Sequence, residues 1–327
     1  MQMRRLTRFQ RLAMWTTATT YLLILVGGLV RASGAGLGCP DWPRCFGSWV
    51  PPLSAADLPA QFDPTQFNAV LMWTEYLNRL LGVTVGFLIF ATLVIAIRDH
   101  RRAPRILWPT ALAFLLVGFE GWLGGVVVKH ELASWIVTVH LVVALVLVSL
   151  LLYATVFAFF VERPPSRAST SALPGDASPA SAPSRTALMW TTLLLIAVTL
   201  IQVTLGAQVR AGIDDAVAAG TPRVDARATV GAFDHWHREA ALVVFALAVI
   251  VLVQVTRAPF LGAPSPRPVP LVRAAYAVAA LVAVQIAIGL SLAYVGLTPP
   301  AQVAHLTAAS LLLGAETVLF LLARWLL

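Results

Sequence analysis

Long apolar runs alternate with short polar ones along this chain. Eight of the runs approach the ~20 residues that a helix needs to cross a bilayer. They cover residues 12–32, 70–97, 107–128, 135–161, 187–209, 236–256, 272–295 and 302–325. The pattern predicts an all-α polytopic membrane protein with eight transmembrane helices. Basic residues before the first run and small residues after it imitate a secretory leader, but the apolar stretch is long for that role.

The polar connections set the orientation. Arg4, Arg5, Arg8 and Arg11 precede the first run, "RDHRRAPR" joins the second to the third, and Arg163, Arg167 and Arg185 lie in the middle connection. Arg257, Arg267 and Arg273 join the sixth to the seventh, and Arg324 ends the eighth. The opposite connections hold only Arg31, Arg44, Lys129, Arg210, Arg223 and Arg227. The positive-inside rule then predicts cytoplasmic N- and C-termini, with long outer loops after the first and fifth helices. Composition agrees: 59% of the 327 residues are hydrophobic and 12% charged, which is membrane-protein usage. The net charge of +8 is scattered over the connections with no basic face, so it reports topology and not nucleic-acid binding.

Residues 162–186, "ERPPSRASTSALPGDASPASAPSR" and its edges, are Pro/Ser/Ala-rich and read as a cytoplasmic linker between two halves, 1–161 and 187–327. The halves match each other. "LVGGLVRASGAGL" pairs with "TLGAQVRAGIDDA", placing Arg31 over Arg210. "TEYLNRLLG" pairs with "FDHWHREAA", placing Glu75 over Asp234, Asn78 over His237 and Arg79 over Arg238. "WLGGVVVKHELASWIVTVHLVVAL" pairs with "AIGLSLAYVGLTPPAQVAHLTAAS", placing His140 over His305. Two pseudo-symmetric four-helix bundles related by an axis along the membrane normal are expected. The first helix has a counterpart in the fifth and is expected to stay in the mature protein.

Ionisable groups within a span are costly and mark function. His237 and His305 begin the sixth and eighth helices near the outer surface. Two imidazoles from one bundle suit bis-histidine ligation of a haem between helices, and His140 repeats the arrangement in the other half. A zinc site lacks further ligands of recognisable spacing, and no Cys-x-x-Cys-His supports covalent haem attachment. A helix-to-helix hydrogen bond is the plain alternative for any one of these histidines. Arg31, Arg210, Arg79 and Arg238 suit haem propionates, which guanidinium groups bind in pairs; interfacial anchoring is the alternative for the first two. Glu75 shares a helix face with Asn78 and Arg79, either as an internal ion pair with Arg79 or as a carboxylate for proton transfer. Glu120 and Glu316 read as structural, and His100, His130 and His235 as surface or interfacial residues. Cys39 and Cys45 lie close enough to bridge in an outer, oxidising compartment. Such a bridge is either a loop staple or an exchangeable redox pair.

With "GGLVRASGAGLGCPDWPRCFG", "EYLNR", "VTVHL", "HWHR" and "VAHL" in place, the whole chain resembles the haem A synthase family. The resemblance implies oxidation of the C8 methyl of haem O to a formyl, giving haem A for terminal oxidases. It implies substrate haem in the N-terminal half, held by His140, and haem b in the C-terminal half, held by His237 and His305. It gives Glu75 the role of catalytic carboxylate and the cysteine pair a part in electron or thiol exchange. The implied partners are the lipid bilayer of the cell membrane, haem O and the synthase that supplies it, and an electron acceptor; a homo-oligomer is open. Two positions depart from the family pattern. Asn78 stands where many members have histidine, and an amide is a poor iron ligand. The second half also lacks the later cysteine pair that some members carry. A two-haem electron-transfer cytochrome is the alternative function. It calls for bis-histidine sites in both halves, which Asn78 denies to the first. A transporter would place its marked residues at the midplane, and a prenyltransferase would show an Asp-rich diphosphate motif.

Overall fold

A computed structural model describes residues 6–162, 182–257 and 268–327. Arg4, Arg5, Arg163, Arg167, Arg267 and most of the expected linker lie outside the described residues. Among the described residues the chain is all-helical, with eight helices long and apolar enough to span a bilayer. They are α1 (Arg8–Ser33), α2 (Ala69–His100), α3 (Pro104–Lys129), α4 (Ser134–Glu162), α5 (Ala182–Ala218), α6 (Ala232–Thr256), α7 (Val269–Tyr294) and α8 (Pro299–Leu326). This bears out the eight spans read from hydropathy.

The helix ends follow local chemistry. Thr7 and Gln10 cap α1 reciprocally, each side chain accepting from the other's backbone N–H at 3.2 and 3.1 Å. Gly34, at φ 75°, closes the helix by donating to the Val30 carbonyl, the left-handed cap that glycine adopts without strain. Asn68 starts α2 by accepting from the Val70 and Leu71 N–H groups, both at 3.1 Å. Pro104 occupies the first turn of α3, where its missing N–H has no partner to lose. The clearest difference from the expected spans is α5, which runs on past 209 to Ala218. Apolar periodicity stops where the bilayer ends. The helix itself continues through "AGIDDAVA", supported by an Arg210–Asp214 pair one turn apart at 3.0 Å.

Two compact units divide the chain. The first holds the described residues up to Leu151 together with Leu290–Thr307; the second holds those of Leu152–Gly289 together with Ala308–Leu327. In the first, Val85 and Ile89 of α2, Ala113 of α3 and Leu147 and Leu151 of α4 form a buried core with Leu23 of α1 packed against it. Thr16 of α1 and Thr92 of α2 share a hydrogen bond at 2.9 Å, the kind of polar link that joins helices in lipid. Gly28 lets the N-terminal end of α8 close on α1, since a Cβ there would lie 3.0 Å from Leu306. In the second unit the core runs through Leu188 and Leu195 of α5, Val251 of α6, Val278 of α7 and Leu319 of α8. Large apolar side chains left outside these cores, such as Phe87 at 70% and Leu115 at 67% exposure, are what helices turned toward acyl chains present.

The α1–α2 loop docks on α2 as a folded piece. Gly38 sits so close to α2 that a Cβ there would fall 2.4 Å from the Leu71 carbonyl oxygen. Gly38→Ala should therefore displace the loop, at about 1–3 kcal/mol for forced overpacking. A lowered unfolding midpoint in detergent, with the Cys39–Cys45 bond opening faster under dithiothreitol, checks this; an unchanged rate would contradict it.

Candidate functional site

The loop of the first unit is built around its disulfide. Cys39 and Cys45 are bonded, with Cα atoms 4.8 Å apart. Both are fully buried beside Met72 and Phe46, with Leu58, Phe62, Phe67, Trp73 and Tyr76 packed around them. The chain reverses over Cys45–Ser48, which exchange backbone hydrogen bonds at 3.0 and 3.2 Å. Phe46 at φ 51° and Gly47 at φ 75° occupy the turn, as a tight reversal of this hand requires. Phe46 tolerates that backbone because its ring is anchored edge-on to Phe62 at 5.3 Å and against Phe67 at 5.8 Å. Burial of both sulfurs denies an attacking thiolate direct access, which favours the staple over the exchangeable pair.

Glu75 and Arg79 fasten this loop to α2. Glu75, 4% exposed, accepts the Cys39 N–H through Oε2 at 2.7 Å and the Arg79 guanidinium through Oε1. Arg79 then donates to three loop carbonyls, Asp41 and Arg44 at 2.8 Å and Cys39 at 3.2 Å. Tyr76 adds a bond from its hydroxyl to the Trp49 carbonyl at 2.6 Å. The internal ion pair expected between Glu75 and Arg79 is present, and its second function is to hold a loop. Asn78, on the same helix, keeps its side-chain oxygen buried with no hydrogen-bond partner among the described residues. Gly27 of α1 faces it, where a Cβ would lie 3.9 Å from that oxygen.

His140 of α4 belongs to the same unit. Its Nδ1 lies 2.7 Å from Glu120 Oε2 on α3, which leaves Nε2 as the ring nitrogen not facing the carboxylate. Glu120 is 11% exposed at the side chain against 40% for His140, so the carboxylate is the sheltered partner. Gly124 lies alongside, its Cβ position 4.0 Å from His140 Cε1. Next to it Gly125 admits the Trp42 indole, whose ring atoms come within 2.7 Å of where a Cβ would be. The disulfide loop thus reaches α3 beside the glycine that faces His140.

In the second unit His237 of α6 turns Nδ1 toward the Gln202 carbonyl of α5 at 3.2 Å. Gly206, one turn along α5, accommodates the ring: a Cβ there would meet His237 Cε1 at 2.9 Å. Arg238 pairs with Asp234 at 2.7 Å and Arg210 with Asp214 at 3.0 Å. Glu316 is buried in this unit and accepts the Thr199 hydroxyl at 2.9 Å, in keeping with a structural role. His305 falls in the first unit, on the turn of α8 whose Leu306 and Val303 pack against Gly28. Arg31 occupies the last turn of α1, where a cation complements the helix dipole. His130 and His235 are exposed, and His100 packs edge-on to Phe9 at 5.0 Å.

From sequence Glu120 reads as structural, and Gly206, Gly27 and Gly124 do not stand out. The signal was present in "VGG", "GFEGWLGG" and "TLGA", glycines on helices that face the polar residues of a neighbouring helix. A haem fits these surroundings on three observations. Two histidines carry Nδ1 toward an acceptor, the arrangement that prepares Nε2 for iron. Gly206 stands where a side chain would crowd the His237 ring. Buried polar atoms at Asn78 Oδ1, Glu120 Oε1 and Gln202 Oε1 have no hydrogen-bond partner among the described residues.

Known proteins carry related sequences. The family model described as cytochrome oxidase assembly protein, COX15-CtaA, matches residues 10–317. A protein named Heme A synthase from Rhizorhabdus wittichii is 27% identical over 334 residues, covering 90% of this chain and 88% of its own length. Proteins of the same name from Geobacillus kaustophilus and Shewanella oneidensis are 30% and 33% identical over 165 and 140 residues. Those two alignments cover 50% and 42% of this chain, and it spans 47% and 42% of their lengths.

Arg79→Gln removes the donor to three loop carbonyls while leaving Glu75 in place. Charge-assisted bonds are worth about 1.5–3 kcal/mol each when broken, so the loop should detach from α2 before the helices melt. Hydrogen exchange across residues 39–48 should speed up strongly while exchange in α2 below Arg79 holds; uniform protection in the variant would contradict the fastening role.

Proposed function

This chain belongs to the COX15-CtaA family of cytochrome oxidase assembly proteins, and on that premise we propose that it is a haem A synthase. In this reading it oxidises the C8 methyl of haem O to a formyl group. One observation carries the reading: a protein named Heme A synthase aligns with 90% of this chain. The multi-pass protein sits in the cell membrane with both termini cytoplasmic and its haem sites toward the outer face, as the distribution of arginines favours. The N-terminal half, residues 1–161, takes the substrate; the C-terminal half, 187–327, takes haem b.

His140 holds the substrate haem through Nε2, since Nδ1 is turned to Glu120 at 2.7 Å. Asn78 supplies no second imidazole, and an amide would be a poor ligand to that iron. Glu75 lies at the edge of this site. Both its oxygens are fixed, by the Cys39 N–H and by Arg79, yet each retains a lone pair that can take a proton released from the methyl group. The disulfide loop, pinned by Arg79 and reaching α3 through Trp42, excludes water from that edge. Arg79 is committed to the loop, so propionate binding in this half falls chiefly to Arg31. In the other half Arg210 and Arg238 each keep guanidinium donors beyond those given to Asp214 and Asp234. Haem b, when held by His237 and His305, supplies a one-electron redox centre. Haem O arrives from the synthase that makes it, and an electron acceptor completes the turnover.

Membranes containing this protein and a source of haem O should yield haem A on extraction and chromatography. Haem b and haem O without haem A, from folded protein, would overturn the enzyme reading in favour of an electron-transfer cytochrome. Glu75→Gln should abolish haem A formation and Glu75→Asp should retain part of it; full activity in the glutamine variant would remove the proton-transfer role. His237→Ala or His305→Ala should remove the low-spin haem b spectrum.

Gly206→Ala tests the second unit without touching a ligand. Its methyl would press on a ring 2.9 Å away and swing Nε2 off line. Haem b retention should fall by about 10–100-fold, the usual scale for disturbed support of a metal ligand. An unaltered haem b titration would show that His237 is not held in this orientation when haem is bound.

A further inference from the structure

Glu120 has no role in the haem chemistry described so far, and its surroundings are odd for a merely structural acid. It lies inside α3, in a chain segment that spans the membrane, with its carboxylate 2.7 Å from His140 Nδ1. Its second oxygen, Oε1, is buried with no hydrogen-bond partner among the described residues. A carboxylate in that position is expensive to bury, and a glutamine would occupy the same space and accept the same Nδ1–H bond at lower cost. The second half makes that substitution: when His140 is set over His305, Glu120 falls over Gln285. The histidine of the second unit, His237, has the weaker acceptor of a backbone carbonyl at 3.2 Å. His237 thus faces a neutral carbonyl where His140 faces a carboxylate.

We propose that Glu120 is a positioning residue for the substrate haem: it accepts the Nδ1–H of His140, fixes the tautomer that presents Nε2 to iron, and raises the donor strength of that imidazole. The physical basis is general. A histidine that donates to a carboxylate carries more negative charge on its ligating nitrogen than one donating to an amide or carbonyl, and it is held against rotation. A stronger donor favours ferric over ferrous iron, so the first-half haem is poised at lower potential than an amide partner would give. That compensates for Asn78, because an iron with one protein imidazole depends on that ligand for both retention and electronic tuning. Gly124 lies beside the ring with its Cβ position 4.0 Å from Cε1, an ordinary contact that puts no steric pressure on the imidazole.

This inference rests on the reading of His140 as the substrate-haem ligand, and the experiment separates the two. Purified protein, stripped and reloaded with haem O, is followed by spectroelectrochemical titration and by haem-binding titration for the wild type, Glu120→Gln, Glu120→Asp and His140→Ala. Loss of the first-half haem signal in His140→Ala, with a positive shift and about 10–100-fold weaker binding in Glu120→Gln, supports the proposal. Glu120→Asp should keep the charge and shift the potential less than Glu120→Gln. Should Glu120→Gln fail to fold, as judged by loss of the haem b spectrum, the aspartate variant alone decides, since its lengthened contact should still raise the potential and weaken binding. Loss of the signal in His140→Ala with unchanged potential and affinity in both Glu120 variants overturns the role of Glu120 and leaves the ligand intact. A first-half haem signal that survives His140→Ala overturns the ligand assignment and this inference with it.

Discussion

Everything at the head of the first unit depends on the Glu75 carboxylate meeting the Arg79 guanidinium one helical turn away. A lone carboxylate or guanidinium on an apolar helix would carry a heavy desolvation cost. Together the two groups offset it, and their remaining valences are spent on the loop: the carboxylate on the Cys39 N–H, the guanidinium on three carbonyls. A loop of this length would otherwise lose its order to chain entropy. The disulfide shortens it, the pair anchors it, and the aromatic cluster around Phe46 seals it. The three devices act in series, so the conformation of the loop is set by α2 and not by the loop's own sequence alone.

The same economy governs the histidines. In a solvent without hydrogen bonds, each polar atom must find its partner inside the protein. His140 Nδ1 lies 2.7 Å from the Glu120 carboxylate and His237 Nδ1 3.2 Å from the Gln202 carbonyl, so each ring turns one nitrogen toward an acceptor. The partners differ in kind, a carboxylate for one ring and a backbone carbonyl for the other. A chain duplicated from one bundle would begin with two equivalent sites. The substitutions that separate them here, Asn78 against His237 and Glu120 against Gln285, fall on positions that the proposed function assigns to a haem ligand and to its support.

The sequence made the spans readable because lipid imposes a length and a composition on a helix; predicted and observed limits agree within a few residues except at α5. There the helix outlasts the membrane, and hydropathy has nothing to say about a polar helix held by Arg210 and Asp214. The ion pair between Glu75 and Arg79 was also legible, since spacing of four on a helix dictates it. Its grip on the loop was not, because backbone carbonyls leave no mark in a sequence. Glu120 was visible as an acid in a span, but its partner lies on another helix and nothing in the local pattern joins residue 120 to residue 140. The glycines were passed over for a related reason. Gly206 and Gly27 look like ordinary membrane glycines until the ring or amide facing each is known.

Asn78 draws these strands together. Gly27 and Gly206 occupy matching places in the two halves, and each faces the residue at the matching place on the next helix: asparagine in one, histidine in the other. The spacing differs with the side chain. The Cβ position of Gly206 lies 2.9 Å from His237, whereas that of Gly27 lies 3.9 Å from the Asn78 oxygen. An imidazole therefore needs its glycine, and the shorter amide does not fill the space its glycine leaves. The Asn78 oxygen is buried without a hydrogen-bond partner among the described residues, at the place where the second half carries an imidazole. An amide there would be a poor iron ligand beside an imidazole. Under the proposed function, asparagine in place of histidine gives the first half one imidazole fewer than a bis-histidine electron relay would need in both halves.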